Sequence, residues 1–338
     1  MNMKVRSSEF GVRIDWKRGS QSRPAIRIPQ SAFRNWMAFT LVEILVTMVL
    51  LSLIVLALMT VFNSTQKAFR ASLTETDLLE SGRLAMGLMV GDLEGMTPSS
   101  KTINTNIIWN DPDNTNNNVN FTAVVTSFAS PPSPLYQSLI GVNDPNTQRT
   151  NVLESFFSLS RQNISGSPNW VGTGYLVSTN SPDGALYPLY RFYLTTNVSA
   201  NPAGLFNSFN NQLNSGAWTN WSHLMDGVVA LRVRAYDPNG FRMTNIYDFY
   251  NGHLITNQNT GFYLPPASGE IGFYMYSNTV PASVEVELGV LEDTVLRRAE
   301  AFNGNLLTQT NYLAQHAGQV HLFRQRVLIR NVDPTAYQ

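Results

Sequence analysis

The amino-acid sequence predicts an α+β protein: a long N-terminal α-helix, hydrophobic in its first half, packed on an antiparallel β-sheet head. Three observations carry that prediction. An apolar run extends from Phe39 to Phe62. A three- and four-residue apolar period then continues to Met96, with no proline between Phe62 and Pro98. Beyond Gly227, polar and apolar residues alternate in short runs separated by turn residues, the pattern of half-buried antiparallel strands.

The first 38 residues carry eight bases (Lys4, Arg6, Arg13, Lys17, Arg18, Arg23, Arg27, Arg34) against two acids (Glu9, Asp15), a net charge of +6. The whole 338-residue chain is neutral, with 23 basic and 23 acidic residues, so everything after this basic segment is net acidic. An acidic body argues against non-specific nucleic-acid binding. Hydrophobic residues make up 43%, enough to build a sizeable core and too many for a disordered chain. There is no cysteine, which excludes disulfides, thiolate nucleophiles and Cys-ligated metals together.

Phe39 to Phe62 is 24 residues, roughly 36 Å as a helix against a bilayer core of about 30 Å. Its polar residues Thr40, Thr47, Ser52 and Thr60 are small and can bond back to the helix. The strongly basic flank before the run places the N-terminus in the cytoplasm and the body outside by the positive-inside rule. A plain signal anchor and a cleaved secretory signal are the simpler readings. The stretch after the run, "NSTQKAFRASL", offers no secretory cleavage site of the A-x-A kind. Neither reading accounts for Glu43, a carboxylate five residues into the run. Such a group costs about 3 kcal/mol or more in hydrocarbon and is by default a functional residue.

The stretch "AFTLVEILV" resembles the type IV prepilin signal, in which a basic leader is cut just before a Phe that opens an F-T-L-x-E motif. The resemblance implies a pilin-like fold and a scissile bond between Ala38 and Phe39, with prepilin peptidase as the processing partner. It implies N-methylation of the new amino terminus at Phe39, and makes Glu43 the fifth residue of the mature chain. Ala38 stands where the family usually has Gly, and the leader of 38 residues is long for the family. A charged amine near Glu43 would offset much of the carboxylate's burial cost. Neutralisation by the amine of a neighbouring subunit would then reward one stacking register, giving Glu43 an assembly role and no chemical one.

Leu78, Gly82, Ala85, Met89, Leu93 and Met96 recur at three- and four-residue steps, so residues 63–97 read as an amphipathic continuation of the helix. From Phe39 to Met96 the helix would have 58 residues, roughly 87 Å. Gly87, Gly91 and Gly95 fall on one face, either to allow close packing or merely as weak points in the helix. The segment "ESGRLAMGLMVGDLEGM" resembles, through Arg83, Leu84, Ala85, Asp92 and Leu93, the same region of W-type minor pilins and J-class type II secretion pseudopilins.

Residues 98–338 form the expected head, loop-rich over 98–217 and cleaner sheet over 218–338. Candidate strands in the first part are Phe121–Thr126, Leu153–Ser160, Gly174–Ser178 and Leu189–Thr195. In the second, Leu231, Val233 and Ala235 alternate with Arg232, Arg234 and Tyr236 before a Pro238-Asn239-Gly240 turn. "SVEVELGVL" reads as half-buried. The closing strand puts Phe323, Val327 and Ile329 on one face and Arg324, Arg326 and Arg330 on the other. Opposite charge pairs this strand with the one carrying Glu285 and Glu287, across an exposed sheet surface. Asp293 to Phe302 reads as a short helix capped by Asp293.

No phosphate loop, G-x-S-x-G, H-E-x-x-H or Cys/His zinc spacing occurs. His223, His253, His316 and His321 are scattered, and the Asp111–Asn114 stretch lacks the Gly and Glu of a calcium loop. Gly172-Thr173-Gly174 reads as a turn, and Trp109, Trp170, Trp218 and Trp221 as packing residues. The expectation is therefore a non-enzymatic subunit without cofactor or metal. The resemblance implies a minor pilin or pseudopilin of a type II secretion pseudopilus or type IV pilus. Its partners would be other pilins and an inner-membrane assembly platform. The other reading is a surface binding or adhesion protein that uses the pilin-type helix as an anchor.

Overall fold

The computed structural model describes residues 40–100, 118–127, 136–137, 149–178, 185–215, 219–243, 248–250, 253–255, 259–263, 272–302, 304–316 and 318–337. The elements in chain order are α1 (Leu41–Glu94), β1 (Val119–Ser127), β2 (Tyr136–Gln137), β3 (Arg149–Thr150), β4 (Leu153–Ile164), β5 (Ser167–Val177) and β6 (Leu189–Asn197). Then come α2 (Ala203–Ser215), β7 (Trp221–Met225), β8 (Val228–Tyr236), β9 (Asp248–Tyr250), β10 (His253–Ile255), β11 (Thr260–Tyr263) and β12 (Gly272–Tyr276). β13 (Ser283–Leu291), α3 (Asp293–Glu300), α4 (Leu306–Gln315), β14 (Val320–Leu328) and a 3₁₀ turn (Pro334–Tyr337) complete the described chain. The architecture is α+β, with a long apolar N-terminal helix and an antiparallel sheet. By contact density the chain divides into two compact units, residues 1–65 and 66–338.

In the second unit one ten-stranded sheet runs β11-β12-β1-β4-β5-β6-β7, with β8 leaving from β4 and carrying β13 and then β14. Every ladder in it is antiparallel except the single parallel pairing of Leu153 with Leu231 that joins β4 to β8. A buried acid closes this junction: the Val233 N–H donates to Glu154 Oε2 at 2.6 Å, so a carboxylate substitutes for the missing ladder carbonyl.

The helical period predicts the packed face of α1 correctly. Gly82, Ala85, Met89 and Leu93 are buried and Leu78 is partly so, but the helix ends at Glu94; Met96, expected as its last residue, is buried just beyond it in a bridge to Ser160. They pack on Phe121, Phe156, Tyr175 and the Val284-Val286-Leu288-Val290 side of β13. The glycine that permits close approach is Gly82, where a Cβ would collide with the Phe323 ring. Gly87 and Gly91 have nothing within 4 Å among the described residues, so neither serves close packing there.

The other face of β4 and β5 is covered by α2, whose Phe206 and Phe209 sit on Phe157, Phe192 and Trp170. The sequence reading leaves α2 unassigned, because its Asn- and Ser-rich composition is poor helix material and only tertiary burial compensates. The same layer corrects the reading of Gly172-Thr173-Gly174. These residues lie inside β5, and a Cβ on Gly172 would come within 2.9 Å of the Phe157 ring and 3.0 Å of Leu205. A small third cluster joins α3 and α4 through Val295, Leu296, Ala299 and Leu313.

Two further expectations change. β13 is buried along its whole length, because β8 and β14 flank it and arginines cover its polar face. Asp293 lies within the first turn of α3; the residue before the helix is Glu292, which makes no side-chain cap, and Asp293 instead pairs with Arg297 at 2.8 Å. The turn after β8 forms as expected, with Gly240 at φ +87° and Phe241 N–H donating to Asp237 Oδ1 at 2.8 Å.

Candidate assembly helix

The first unit holds the sequence-predicted assembly residue. Thr40 N–H and Thr40 Oγ1 both donate to Glu43 Oε2 at 3.0 Å, while Glu43 N–H donates to Thr40 Oγ1 at 3.3 Å. This reciprocal pair is a capping box: each side chain satisfies a backbone N–H that the first turn leaves orphaned. A Thr or Ser three residues before a Glu is the sequence signal for it, and here it falls within the prepilin-like motif. Glu43 is thus hydrogen-bonded within its own chain. Ala38 and Phe39 lie outside the described residues.

From Leu41 to Phe62 the large apolar side chains are exposed, none below 48%. The most apolar 18-residue window of α1 has a mean hydropathy of 2.9 and none of it is buried, so this helix is long and apolar enough to cross a membrane. Its polar residues are silenced locally: Thr47, Ser52 and Thr60 donate to the carbonyls of Ile44, Val49 and Ala57 at 2.7–2.8 Å. An apolar surface this size is tolerated only where lipid or other apolar surfaces cover it.

In the second unit, Asp92 ties the C-terminal turn of α1 to the sheet. Its Oδ2 accepts from Tyr175 OH at 2.6 Å and Arg191 Nε at 2.8 Å, and its Oδ1 accepts from Arg191 Nη2 at 2.9 Å. Burial, and then the Asp92 charge, hold the Tyr175 hydroxyl far above the ordinary tyrosine range. The Asp92 hydrogen bond likewise raises the Arg191 guanidinium above its ordinary range, so the arginine stays charged. Asn331 Nδ2 donates to the Met96 carbonyl at 3.0 Å, and Thr97 N–H to the Leu159 carbonyl at 2.9 Å, which finishes the helix end. Sequence reasoning singled out Asp92 only as part of a family-like pattern. Its partners lie 83 and 99 residues away, and no local signal joins them.

The remaining candidates stay apart. His223 pairs with Asp226 at 2.8 Å beside a surface groove of ≈370 Å³ that Asp77, Ser81 and Asp293 also line. His316 bonds the Tyr312 carbonyl, and His321 lies 4.0 Å from Glu292. Among the described residues, no group of three or more His, Cys, Asp or Glu is placed to hold a metal ion. Trp170 is buried, and Trp221 packs against Phe192 and Phe209. Trp109, Trp218, the Asp111–Asn114 stretch and the His253 side chain lie outside the described residues. Compared with known proteins, the chain matches no family model, no curated protein and no solved structure.

Proposed function

We propose that this chain is a minor pilin or pseudopilin, a pilin-like, non-catalytic subunit of a type II secretion pseudopilus or type IV pilus. Prepilin peptidase cuts between Ala38 and Phe39, and the new amine at Phe39 is N-methylated. The precursor sits as a single-pass protein in the inner membrane, N-terminus in the cytoplasm and head outside. The assembly platform then moves it, with other pilins, into a filament.

The observation that supports this reading best is the start of α1. A Thr-Leu-Val-Glu capping box opens a helix whose following residues are apolar and exposed. The box occupies only Oε2 of Glu43 and leaves Oε1 to accept a bond from an amine. The amine at Phe39 of a neighbouring subunit is a donor of the right charge, and pairing it there offsets the cost of a carboxylate in hydrocarbon. The capping box and the assembly role are compatible, since each uses a different oxygen.

Intact-mass measurement on the membrane-extracted protein tests the reading. The expected species begins at Phe39 and carries one added methyl group. A chain that retains Met1, or any residue ahead of Phe39, overturns it.

A further inference from the structure

Among the described residues, β14 pairs with β13 alone, so its other side is an open sheet edge. Two flanking bonds settle which backbone groups face out: Ile329 N–H donates to the Ala282 carbonyl, and Glu292 N–H to the Gln319 carbonyl. Bonded positions recur every second residue in an antiparallel ladder. Odd-numbered β14 residues therefore face β13, and Leu322, Arg324, Arg326 and Leu328 turn their N–H and C=O groups outward. These same four residues project side chains from the outer face of the sheet. Leu322 is 46% and Leu328 74% exposed, and the Arg324 side chain is 56% exposed.

Charge alternates across this corner of the sheet. Glu285 lies opposite Arg234 of β8 and Arg326 of β14, and Glu287 opposite Arg232 and Arg324. Each row runs cation, anion, cation, so the position beyond β14 suits an anion. Arg324 Nη2 donates to Glu285 at 2.8 Å, Arg326 Nε donates to Ser283 Oγ at 2.9 Å, and Arg326 stacks over Tyr236. A guanidinium has five N–H donors, so both retain capacity for a second acceptor. Free edges are usually blunted by proline, bulges, brevity or charged side chains, and Arg324 and Arg326 are the charges here, which an acidic partner strand would neutralise. β14 has no proline, and its nine-residue ladder with β13 runs without a register shift.

We propose that β14 is a docking edge for an extended segment of a partner protein that carries Asp or Glu at alternate positions. The segment adds as the next strand. Its backbone bonds the outward groups of Leu322 to Leu328, its acids meet Arg324 and Arg326, and apolar residues at either end cover the two leucines. This site rests on the sheet geometry and stands whether or not the chain is a filament subunit.

The test uses the full chain in detergent and a fluorescein-labelled peptide, Val-Thr-Glu-Thr-Glu-Thr-Val, read by fluorescence anisotropy. The expected result is saturable binding, lost when both Glu are replaced by Lys. Backbone N-methylation of the two Glu keeps the charge but removes the ladder donors, and should weaken binding at least about tenfold. Arg324→Glu and Arg326→Glu should each weaken it to a similar degree, about tenfold. No binding, equal binding of the Lys peptide, or equal binding of the N-methylated peptide overturns the proposal. The N-methylated comparison uses the unaltered protein and decides the matter even if an arginine variant misfolds.

Discussion

Replacing Asp92 by alanine should loosen the end of α1 from the sheet. The carboxylate side chain is 11% exposed, and it holds both the Arg191 guanidinium and the Tyr175 hydroxyl. Breaking one side of a buried ion pair costs about 3–5 kcal/mol, because a desolvated charge is left without its partner. The Arg191 side chain keeps 22% of its exposure and can recruit some water, which moves the expectation to the lower end, about 3 kcal/mol. Asp92→Asn retains an acceptor for Tyr175 or Arg191 and should lose roughly half as much. Urea unfolding of the detergent-solubilised chain, followed by aromatic circular dichroism, measures both. A cycle with Arg191→Met should show a coupling of about 1–3 kcal/mol. An Asp92→Ala loss below about 0.5 kcal/mol, or no coupling to Arg191, would refute the view that this pair fastens the helix.

Glu285 supplies a pH prediction. Burial pushes its carboxyl upward, but hydrogen bonds from Arg324 and Arg234 outweigh that and hold it below the ordinary carboxylate range. Its stabilisation is therefore complete above that range and lost as pH falls through the lowered folded value. Glu285→Gln should flatten the acid limb of a stability-versus-pH curve and leave its slope near neutrality unchanged. Gly172→Ala should cost about 1–3 kcal/mol, since the added methyl meets Phe157 and Leu205; a neutral result would mean that the aromatic layer yields freely. Gly91→Ala, with nothing within 4 Å, should instead raise helix stability by up to about 1 kcal/mol in thermal melts. Glu43→Gln keeps the reach to Thr40 but removes the charge, so cleavage should persist while filament assembly, scored by electron microscopy, is lost. Normal filaments from that variant would sink the assembly role.

Legibility in the sequence followed the range of the physics involved. The buried stripe Gly82-Ala85-Met89-Leu93 could be read because helical period is a local property. The β13–β14 pairing could be read because Glu285 and Glu287 meet Arg326 and Arg324 in a matching two-residue period. The capping box at Thr40 and Glu43 is equally local, with Thr and Glu three residues apart, and the prepilin-like motif spans the same residues. By contrast α2 carried the wrong composition for a helix, and Gly172 and Gly174 looked like turn residues until aromatic rings were placed against them.

The sequence by itself determined a membrane-length apolar helix, its packed face, the acid near its start and the charge complementarity of the closing strands. These depend on neighbours within a few residues, or on periods that any strand or helix must repeat. Only the tertiary structure decided that Asp92 meets Tyr175 and Arg191, that Gly82 and not Gly87 or Gly91 lets a ring approach the helix, and that β14 has β13 as its one strand neighbour among the described residues. Those outcomes depend on which distant segments share a face, and a carboxylate or a glycine carries no local mark of the partner that folding brings to it.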